Sequence, residues 1–360
     1  MKILHVTTDT NYGGVQECVL GLCRYAAVHG RGFRHHVLRV TAGGMEAAFR
    51  RYADLHDAGA DYEHAVSVVG QVKPDIVHLH MPGGRFPRYA EQIAATGVAL
   101  VENIHCVHRG ARIEEEVTSA RIVNSRYVYG LQGCKERLHI IPHAIDHDGW
   151  SEVQSEAARE AIRAMREKEF GIPAGMRAVG RIGNITGWKK VADFIQTVPF
   201  VLRRMTNGCP PPAFLLAGAV HEFPEYAGML TDVARMLSVG DRIRFLWNVA
   251  KKFVFLGALD VFLYPTSREG YCIAAIEAMS MGLPVVTYRD SAMPETVPPE
   301  AGELVSVGDI QGLADAVISL LEDPKMLAAK SSAARNLVLK RNMPEAVFPA
   351  YEQIYEQCAR

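Results

Sequence analysis

The segment 260–286, DVFLYPTSREGYCIAAIEAMSMGLPVV, carries two carboxylates whose spacing could serve a ligand. An apolar run is followed by a polar turn, and the pattern then predicts a helix that begins near Tyr271 and continues through Met279. Glu269 would precede the N-terminus of this helix, and Glu277 would lie two turns in, on the face aligned with that end. The two acids would therefore flank one helix start.

A helix start of this kind suits a sugar diphosphate. Its amides and its dipole would receive the anion, while the two carboxylates would accept hydrogen bonds from sugar and ribose hydroxyls. A plainer interpretation stays open, in which Glu269 is an N-terminal charge and Glu277 is a surface residue. The amides that we expect to face the anion belong to Gly270, Tyr271, Cys272 and Ile273.

Two cations are candidates for the same diphosphate. Arg181 and Lys189 stand in GRIGNITGWKKVADFI, at and after the end of a predicted strand. Near a phosphate they would neutralise the charge that develops when the bond to it breaks. Charged loop residues are often only solvated, and Lys190 competes with Lys189 for the role, so these alternatives stay open.

Two features of the first half also lie at predicted strand ends. Gly13 and Gly14 follow the strand Ile3–Thr7 and open a helix, where adjacent glycines would let the backbone approach a ligand closely. The dinucleotide fingerprint GxGxxG is absent, so an ordinary tight turn is the alternative. His105 ends the strand Ala99–His105, where its imidazole or its backbone carbonyl could meet a sugar hydroxyl, unless the residue is structural.

Histidines near His105 raise the alternative of a metal site. His78, His80 and His108 are close in sequence, but no carboxylate stands at ligand spacing beside them. We therefore expect neither a metal nor another cofactor. Seven scattered cysteines without a CxxC pair fit neither a disulfide framework nor a zinc site, so we expect reduced, mostly buried thiols. These are Cys18, Cys23, Cys106, Cys134, Cys209, Cys272 and Cys358.

Length and charge limit the class of protein. The chain has 360 residues, is 49% hydrophobic and carries a formal net charge of -1. The length favours two domains, and the near-neutral charge argues against a nucleic-acid partner. The sequence has no apolar stretch of membrane-spanning length and does not start like a signal peptide, which predicts a cytoplasmic protein. Five arginines would contact the inner face of a membrane or be merely solvated: Arg24, Arg31, Arg34, Arg50 and Arg51.

Short apolar runs alternate with helical stretches in both halves, which predicts parallel β-sheets with helices on both faces. The pattern restarts after Pro142, and the cleft between two such units is the usual ligand site. Predicted strands are Ile3–Thr7, His36–Val40, Asp75–His80, Ala99–His105, Arg121–Ser125, His139–Pro142, Ala178–Ile182, Ala213–Ala217, Ile243–Trp247, Ala258–Pro265 and Pro284–Tyr288. Predicted helices include Val15–Val28, Ile310–Leu321, Pro324–Leu339 and Pro344–Gln357, the last kinked or divided at Pro349.

The segment 260–286 resembles the signature of family 4 of the retaining glycosyltransferases, P-S-x-x-E-G-x-x-x-x-x-x-E-A-M-x-x-G-x-P-V. Arg181 and Lys189 stand where that family has an Arg and a Lys, and His105 closes a strand as the family's histidine does. Gly13 and Gly14 are similar to its Gly-Gly loop, whereas Trp247 departs from its F-x-G. The matching residues of the signature are Pro265, Thr266, Glu269, Gly270, Glu277, Ala278, Met279, Gly282, Pro284 and Val285.

The resemblance implies the GT-B architecture, in which two Rossmann-like, doubly wound parallel-sheet domains face a central cleft. The implied donor is a UDP-, GDP- or ADP-sugar, and the implied acceptor is a hydroxyl of a lipid, a saccharide or a small metabolite. The implied domains are an acceptor-side domain (1–142), a donor domain (143–342) and a C-terminal helix (343–360) that could pack on the first domain.

The resemblance also implies a mechanism and residue roles. A retaining, metal-independent transfer would let the acceptor attack on the face that the diphosphate leaves, and the departing phosphate would take the proton. The alternatives are a GT-B epimerase or phosphorylase, or a non-catalytic nucleotide-sugar-binding protein. The implied roles are ribose binding for Glu277, diphosphate binding for Arg181 and Lys189, sugar binding for Glu269 and His105, and loop closure over the donor for Gly13 and Gly14.

Overall fold

The structure is a computed structural model that describes residues 1–59, 64–80, 87–105, 107, 117–145, 147–205, 210–220 and 224–359. The chain divides into two compact units. The N-terminal unit comprises Met1–Ala144 and Asn342–Arg360, and the C-terminal unit comprises Ile145–Arg341. The end of the chain therefore belongs to the same unit as its beginning.

The N-terminal unit is built on a parallel sheet. Its strands are β1 (Lys2–Asp9), β2 (Arg34–Thr41), β3 (Asp54–Asp57), β4 (Ile76–Leu79), β5 (Ala99–Ile104), β6 (Ala120–Val123) and β7 (Leu138–Ile140). Within the described residues they form one seven-stranded sheet in the order β3-β2-β1-β4-β5-β6-β7, and all neighbours are parallel. Its helices are α1 (Gly14–His29), α2 (Glu46–Phe49), α3 (Ala65–Val72), α4 (Pro87–Ala94), α5 (Arg126–Leu131) and the C-terminal α15 (Pro344–Cys358).

Alternation along β1 and β4 separates two cores in this unit. Leu4 and Val77 point to the face where α3 and α4 pack. Ile3 and Ile76 point to the other face, where they meet Leu22 of α1 and residues of α15. Because neighbouring residues of a strand point to opposite faces, the alternating apolar positions require helices on both sides of the sheet.

The C-terminal unit repeats this plan. Its strands are β8 (Ala178–Ile182), β9 (Ala213–Ala217), β10 (Ile243–Leu246), β11 (Val261–Leu263), β12 (Val285–Tyr288) and β13 (Gly302–Val305), in the order β10-β9-β8-β11-β12-β13 among the described residues. Its helices are α6 (His147–Ser151), α7 (Glu156–Phe170), α8 (Val191–Arg204), α9 (Pro224–Met236), α10 (Lys252–Gly257), α11 (Ile273–Ser280), α12 (Met293–Thr296), α13 (Ile310–Glu322) and α14 (Pro324–Arg341), with short 3-10 turns at Gly187–Lys189 and Gly240–Arg242.

The predicted fold class is confirmed, since each unit is a parallel sheet with helices on its faces. Strands β8 and β9 have the predicted ends, but the edge strands β3 and β13 were not predicted. β3 reads DLHD and none of its residues is buried, because an edge strand is only partly covered. Such a strand lacks the continuous apolar run that marks a buried parallel strand.

Two helix predictions need correction. α15 is not divided at Pro349 but runs unbroken from Pro344 to Cys358. One proline removes a single backbone donor, and extensive packing of α15 on the sheet holds the helix across that gap. α11 begins at Ile273, two residues after the predicted start, because the preceding residues form a loop. Among the described helices, none is both long enough and apolar enough to cross a membrane.

Candidate functional site

The loop between β11 and α11 lies at the carboxyl end of the C-terminal sheet. The strand order reverses between β8 and β11, and doubly wound sheets bind ligands outside the strand ends at such a reversal. Arg268 adopts a left-handed φ of 59°, and its amide donates to Asp290 Oδ2 at 2.8 Å. This turn brings the next residue, Glu269, to a buried position with 8% exposure.

Glu269 is the centre of a polar cluster. Its Oε1 accepts hydrogen bonds from Lys189 Nζ at 2.6 Å and from the Thr266 hydroxyl at 2.7 Å. Burial works to lower the pKa of Lys189, but the Glu269 carboxylate and its other neighbours outweigh burial and raise this pKa, so the lysine is charged. Lys190 instead takes a left-handed φ of 46° as the first residue before α8. The contact with Glu269 therefore comes from Lys189.

Arg181 lies beneath this cluster, near the carboxyl end of β8. Its side chain is fully buried, its Nη1 donates to the Lys189 carbonyl at 3.0 Å, and its guanidinium carbon lies 4.7 Å from the centre of the Tyr264 ring. Within the described part of the chain, Nε and Nη2 have no hydrogen-bond partner. Burial lowers the pKa of Arg181, but an arginine starts from a value so high that it keeps its charge.

Glu277 is also buried, at 5% exposure, inside α11. The sequence did not predict its partner, Lys252 at the start of α10, whose Nζ lies 2.6 Å from Glu277 Oε1. Lys252 and Glu277 are distant in the chain, and a lysine in a polar turn gives no signal of such a contact. The plain interpretation of Glu277 as a surface residue is wrong, because both partners are largely covered.

The residues before α11 form its positively polarised end. Gly270, Tyr271 and Cys272 are buried, and Ile273 is the first residue of the helix, with Cys272 in an extended conformation before it. Burial, together with the nearby Glu269, raises the pKa of the Cys272 thiol to about 12, so the thiol stays protonated and is a poor nucleophile. The first amides of a helix have no partner within the helix, which makes this end suited to an anion.

The glycine turn of the N-terminal unit is tightly built. α1 starts at Gly14, and Gly13 precedes it in an extended conformation. A Cβ at Gly13 would lie 2.5 Å from Gln16 Oε1, because the Gln16 side chain folds back and donates to Asp9 Oδ1 at 3.2 Å. A side chain at Gly13 would therefore displace the Gln16 amide from its contact with Asp9. Its predicted role and that of Gly14 in donor binding stay predictions.

His105 follows β5 in the N-terminal unit. Its Nε2 lies 3.1 Å from His80 Nδ1, and its ring stacks on that of His143 with 5.3 Å between centres. Its Nδ1 is buried and lacks a hydrogen-bond partner among the described residues. Burial, reinforced by neighbouring histidines, lowers its pKa well below the ordinary value, so the imidazole is neutral.

Three buried histidines of the N-terminal unit are candidates for holding a metal ion. His5, His78 and His80 each offer a ligand atom, and these atoms lie within 4.8 Å of one another. His108 lies outside the described residues, as do Cys106 and Cys209. The other cysteines are not in disulfide bonds: Cys18, Cys23, Cys134, Cys272 and Cys358.

The structure thus joins three of the predicted site residues directly, namely Arg181, Lys189 and Glu269, all in the C-terminal unit. Glu277 lies on the helix that follows the same loop. Gly13, Gly14 and His105 belong to the N-terminal unit. The roles predicted for all of them stay predictions.

Residues 177–323 match the family model described as Glycosyl transferases group 1. Over this range the chain is similar to the group 1 glycosyltransferases. The matched range contains Arg181, Lys189, Glu269 and Glu277, so the family resemblance and the polar cluster fall on the same part of the chain.

Two curated relatives align with this chain. It is 28% identical over 195 residues to N-acetyl-alpha-D-glucosaminyl L-malate synthase of Bacillus anthracis, covering 54% of this chain and 49% of the synthase. It is 26% identical over 294 residues to 2-deoxystreptamine glucosyltransferase of Streptomyces kanamyceticus, covering 72% of each chain. The alignment with the synthase thus spans about half the length of that enzyme, 49%.

Solved structures resemble the chain over its whole length. HepE of Anabaena, solved in complex with UDP and glucose, gives a TM-score of 0.82 at 18% identity and covers 99% of this chain and 100% of its own. A glycosyltransferase from Rickettsia africae gives a TM-score of 0.83 at 14% identity and covers 100% of this chain and 98% of its own. At these identities the likeness establishes the fold.

Proposed function

We propose that the chain is a retaining, metal-independent glycosyltransferase that moves a sugar from a nucleotide-diphosphate sugar to a hydroxyl acceptor. The observation that carries this proposal is the buried guanidinium of Arg181, which has two nitrogens without a partner among the described residues. Burying a charge without a counter-ion costs several kcal/mol. A protein that keeps such a cation at a strand end, beside a helix N-terminus, is suited to an anionic ligand.

The neighbouring groups suit a diphosphate leaving group. Arg181 and Lys189 would bind the diphosphate, and their charges would stabilise it as the sugar departs. Lys189 already contacts Glu269, so phosphate binding would loosen this ion pair and make the carboxylate available to sugar hydroxyls. Glu277, held by Lys252, would accept hydrogen bonds from the ribose.

A protein nucleophile is not needed in this scheme. Glu269 would bind the sugar hydroxyls while Thr266 donates to its Oε1, and the Cys272 thiol is protonated at neutral pH. We therefore propose that the acceptor hydroxyl attacks on the face that the diphosphate leaves and that its proton passes to the departing phosphate. The names of two relatives, N-acetyl-alpha-D-glucosaminyl L-malate synthase and 2-deoxystreptamine glucosyltransferase, support a hydroxyl acceptor, because malate and 2-deoxystreptamine both carry hydroxyls.

The first experiment is a thermal-shift screen with UDP, GDP and ADP and their glucose, mannose and N-acetylglucosamine esters. A ligand present at about 100 times its Kd should stabilise the folded protein by about 2.7 kcal/mol. The donor that binds is then incubated with alcohols, inositols and saccharides, and sugar transfer is followed by mass spectrometry. The anomeric configuration of the product, and turnover in the presence of EDTA, test the retaining and metal-independent parts.

Three variants test the residue assignment. Arg181→Ala, Lys189→Ala and Glu269→Ala should each reduce kcat by about 100-fold or more, while far-UV circular dichroism stays unchanged. Lys190→Ala is the matched control and should retain near-normal turnover. Near-normal turnover in all three variants, or stabilisation by none of the nucleotides, would overturn the proposal.

A further inference from the structure

A row of four imidazoles, three of them buried, crosses the sheet of the N-terminal unit. It begins at His35 on β2, passes His5 on β1 and His80 after β4, and ends at His105 after β5. Nδ1 of His35 lies 2.7 Å from Nε2 of His5, and Nδ1 of His5 lies 2.9 Å from Nε2 of His80. Nδ1 of His80 lies 3.1 Å from Nε2 of His105. We call these four residues the histidine row.

The contacts of the histidine row all have the same direction, since Nδ1 of one ring always faces Nε2 of the next. His5 and His80 are fully buried and His35 is 5% exposed, and burial lowers the pKa of His35 to about 4. All the rings are therefore neutral near pH ~7, and a neutral imidazole has one N–H and one lone pair.

Neutrality couples the tautomers of the rings. A hydrogen bond forms only where an N–H of one ring faces a lone pair of the next. If neighbouring rings had different tautomers, two N–H groups or two lone pairs would face each other at hydrogen-bond distance in a buried environment. All members of the histidine row must therefore carry the proton on the same nitrogen, either Nε2 throughout or Nδ1 throughout.

The end of the row decides between these states. His105 Nδ1 is buried and has no hydrogen-bond partner among the described residues. A buried N–H without a partner is rarer in folded proteins than an acceptor with an unused lone pair. The ligand-free protein therefore favours protons on Nε2 throughout, which leaves a lone pair on His105 Nδ1.

We propose that the histidine row is a tautomer lock, in which His35, His5 and His80 hold His105 in the Nε2–H form so that Nδ1 accepts a hydrogen bond from a ligand hydroxyl. His35, His5 and His80 are then positioning residues that act through His105. A lone pair favours a hydroxyl over an oxygen that only accepts, such as a carboxylate or phosphate oxygen. Only the assignment of this hydroxyl to a sugar rests on the proposed function.

The first test is nuclear magnetic resonance of the ligand-free protein labelled with 15N-histidine. Two-bond 1H–15N correlations distinguish the two neutral tautomers and the charged form. We expect His5, His35, His80 and His105 all to give the pattern of the neutral Nε2–H form near neutral pH. An Nδ1–H or charged pattern at any of them overturns the proposal.

The second test perturbs the row at its far end. His35→Phe keeps a ring but removes the acceptor of the His5 N–H, so protons on Nε2 would now leave an unpaired N–H at His5. Both states of the row then bury one unpaired N–H, and we expect His105, which is not in contact with His35, to change from one tautomer to a mixture of two. An unchanged single tautomer at His105 would show that the other histidines pack against one another without setting the tautomer of His105.

The matched control is His36→Phe. His36 follows His35 on β2 and is 7% exposed, but its Nδ1 pairs with His56 Nε2 at 3.2 Å and it is not part of the row. This variant should leave the His105 pattern unchanged. If His35→Phe does not fold, His35→Ala serves the same purpose, and the tautomers of the unmodified protein remain a test on their own.

A metal ion is the competing explanation for the cluster. Tetrahedral zinc with bonds of about 2.0–2.1 Å holds its nitrogen ligands further apart than the hydrogen-bonded contacts of the row. Titration with ZnSO4 after dialysis against EDTA should leave the histidine resonances and the melting temperature unchanged. Stoichiometric zinc binding that shifts the resonances of His5 and His80 and raises the melting temperature would show that the cluster is a metal site and not a tautomer lock. These tests need no donor, so they can fail independently of the proposed function.

Discussion

Arg181 is unfavourable for the stability of the ligand-free protein, but it stands where the proposed function places an anion. Its guanidinium is fully buried without an ion-pair partner among the described residues, so a neutral side chain of similar length should be tolerated better. We expect Arg181→Met to keep or raise the melting temperature of the ligand-free protein and to abolish stabilisation by the nucleoside diphosphate. Differential scanning fluorimetry with and without the ligand measures both effects.

Arg166 provides the matched control for this exchange. It is also largely buried and in the C-terminal unit, but it pairs with the buried Asp260 at 3.3 Å. Arg166→Met should lower the free energy of unfolding by about 1–2 kcal/mol, since Asp260 keeps Arg177 at 2.8 Å, and leave stabilisation by the nucleotide intact. A strong loss of stability in Arg181→Met, combined with normal stabilisation by the nucleotide, would contradict the assignment of Arg181 as an anion ligand.

Lys252 is expected to position Glu277 for the ribose. Its ammonium group lies 2.6 Å from the carboxylate and fixes one of its oxygens. We expect Lys252→Gln to weaken binding of the preferred nucleoside diphosphate by about tenfold, which corresponds to about 1.4 kcal/mol. The loss of affinity should be smaller for the 2′-deoxy form of the same nucleotide, because that form has one ribose hydroxyl fewer with which to bind Glu277.

Isothermal titration calorimetry with the two nucleotides measures this difference. Lys251→Gln is the control, since Lys251 is the exposed neighbour that precedes α10. Equal losses for both nucleotides would show that Lys252 acts on another part of the ligand.

Two tyrosines of α15 make buried polar contacts with the sheet. Tyr355 donates or accepts a hydrogen bond with His78 Nδ1 at 2.7 Å, and Tyr351 accepts one from Asn103 Nδ2 at 3.0 Å, all four side chains being buried. Tyr355→Phe should lower the free energy of unfolding by about 1–3 kcal/mol, because it leaves the buried His78 without this partner. Urea unfolding followed by far-UV circular dichroism measures the change.

The control for Tyr355→Phe is Tyr12→Phe. Tyr12 is 69% exposed, so removal of its hydroxyl leaves no buried group without a hydrogen-bond partner. It should change the stability by less than about 0.5 kcal/mol. Equal stability of Tyr355→Phe and the unmodified protein would mean that apolar packing alone holds α15 on the sheet.

For the whole molecule we expect unfolding in acid to begin in the N-terminal unit. Of the 14 histidines, all but His147 and His221 lie in residues 1–144. Burial lowers the pKa of His35 and His143 to about 4 and of His78 to about 3, from an ordinary value of 6.5. The unfolded chain therefore binds protons below pH 6.5 that the folded unit rejects.

Stability is therefore complete above pH ~6.5 and falls as the pH is lowered towards the folded-state pKa values, by about 2 kcal/mol for each such histidine at pH ~5. Trp150, Trp188 and Trp247 all lie in the C-terminal unit. On acidification, far-UV circular dichroism should therefore change before tryptophan fluorescence does. Simultaneous transitions of the two signals would contradict unfolding that starts in the N-terminal unit.

Sequence patterns were sufficient for much of the fold and for part of the candidate site. The buried strands β8 and β9 were predicted to the residue because continuous apolar runs mark them. Arg181, Lys189 and Glu269 were chosen from their places after predicted strands and from a family signature. The exposed edge strand β3 carried no such pattern and was missed.

Contacts between residues that are distant in the chain could not be predicted from the sequence. Lys252 meets Glu277 only because α10 and α11 are brought together by the strands that precede and follow them. The histidine row depends on the pairing of β1 with β2 and β4, which sets His5 beside its neighbours. Single histidines at alternate positions of a strand do not reveal their partners.

The sequence by itself determined that this protein has two parallel-sheet units and a polar loop before a helix, because local apolar periodicity and turn residues specify such elements. Only the tertiary structure decided that Arg181 is buried as a cation with unpaired nitrogens and that the last helix completes the first unit. Burial and partnership are properties of packing and strand register, which join residues far apart in the chain.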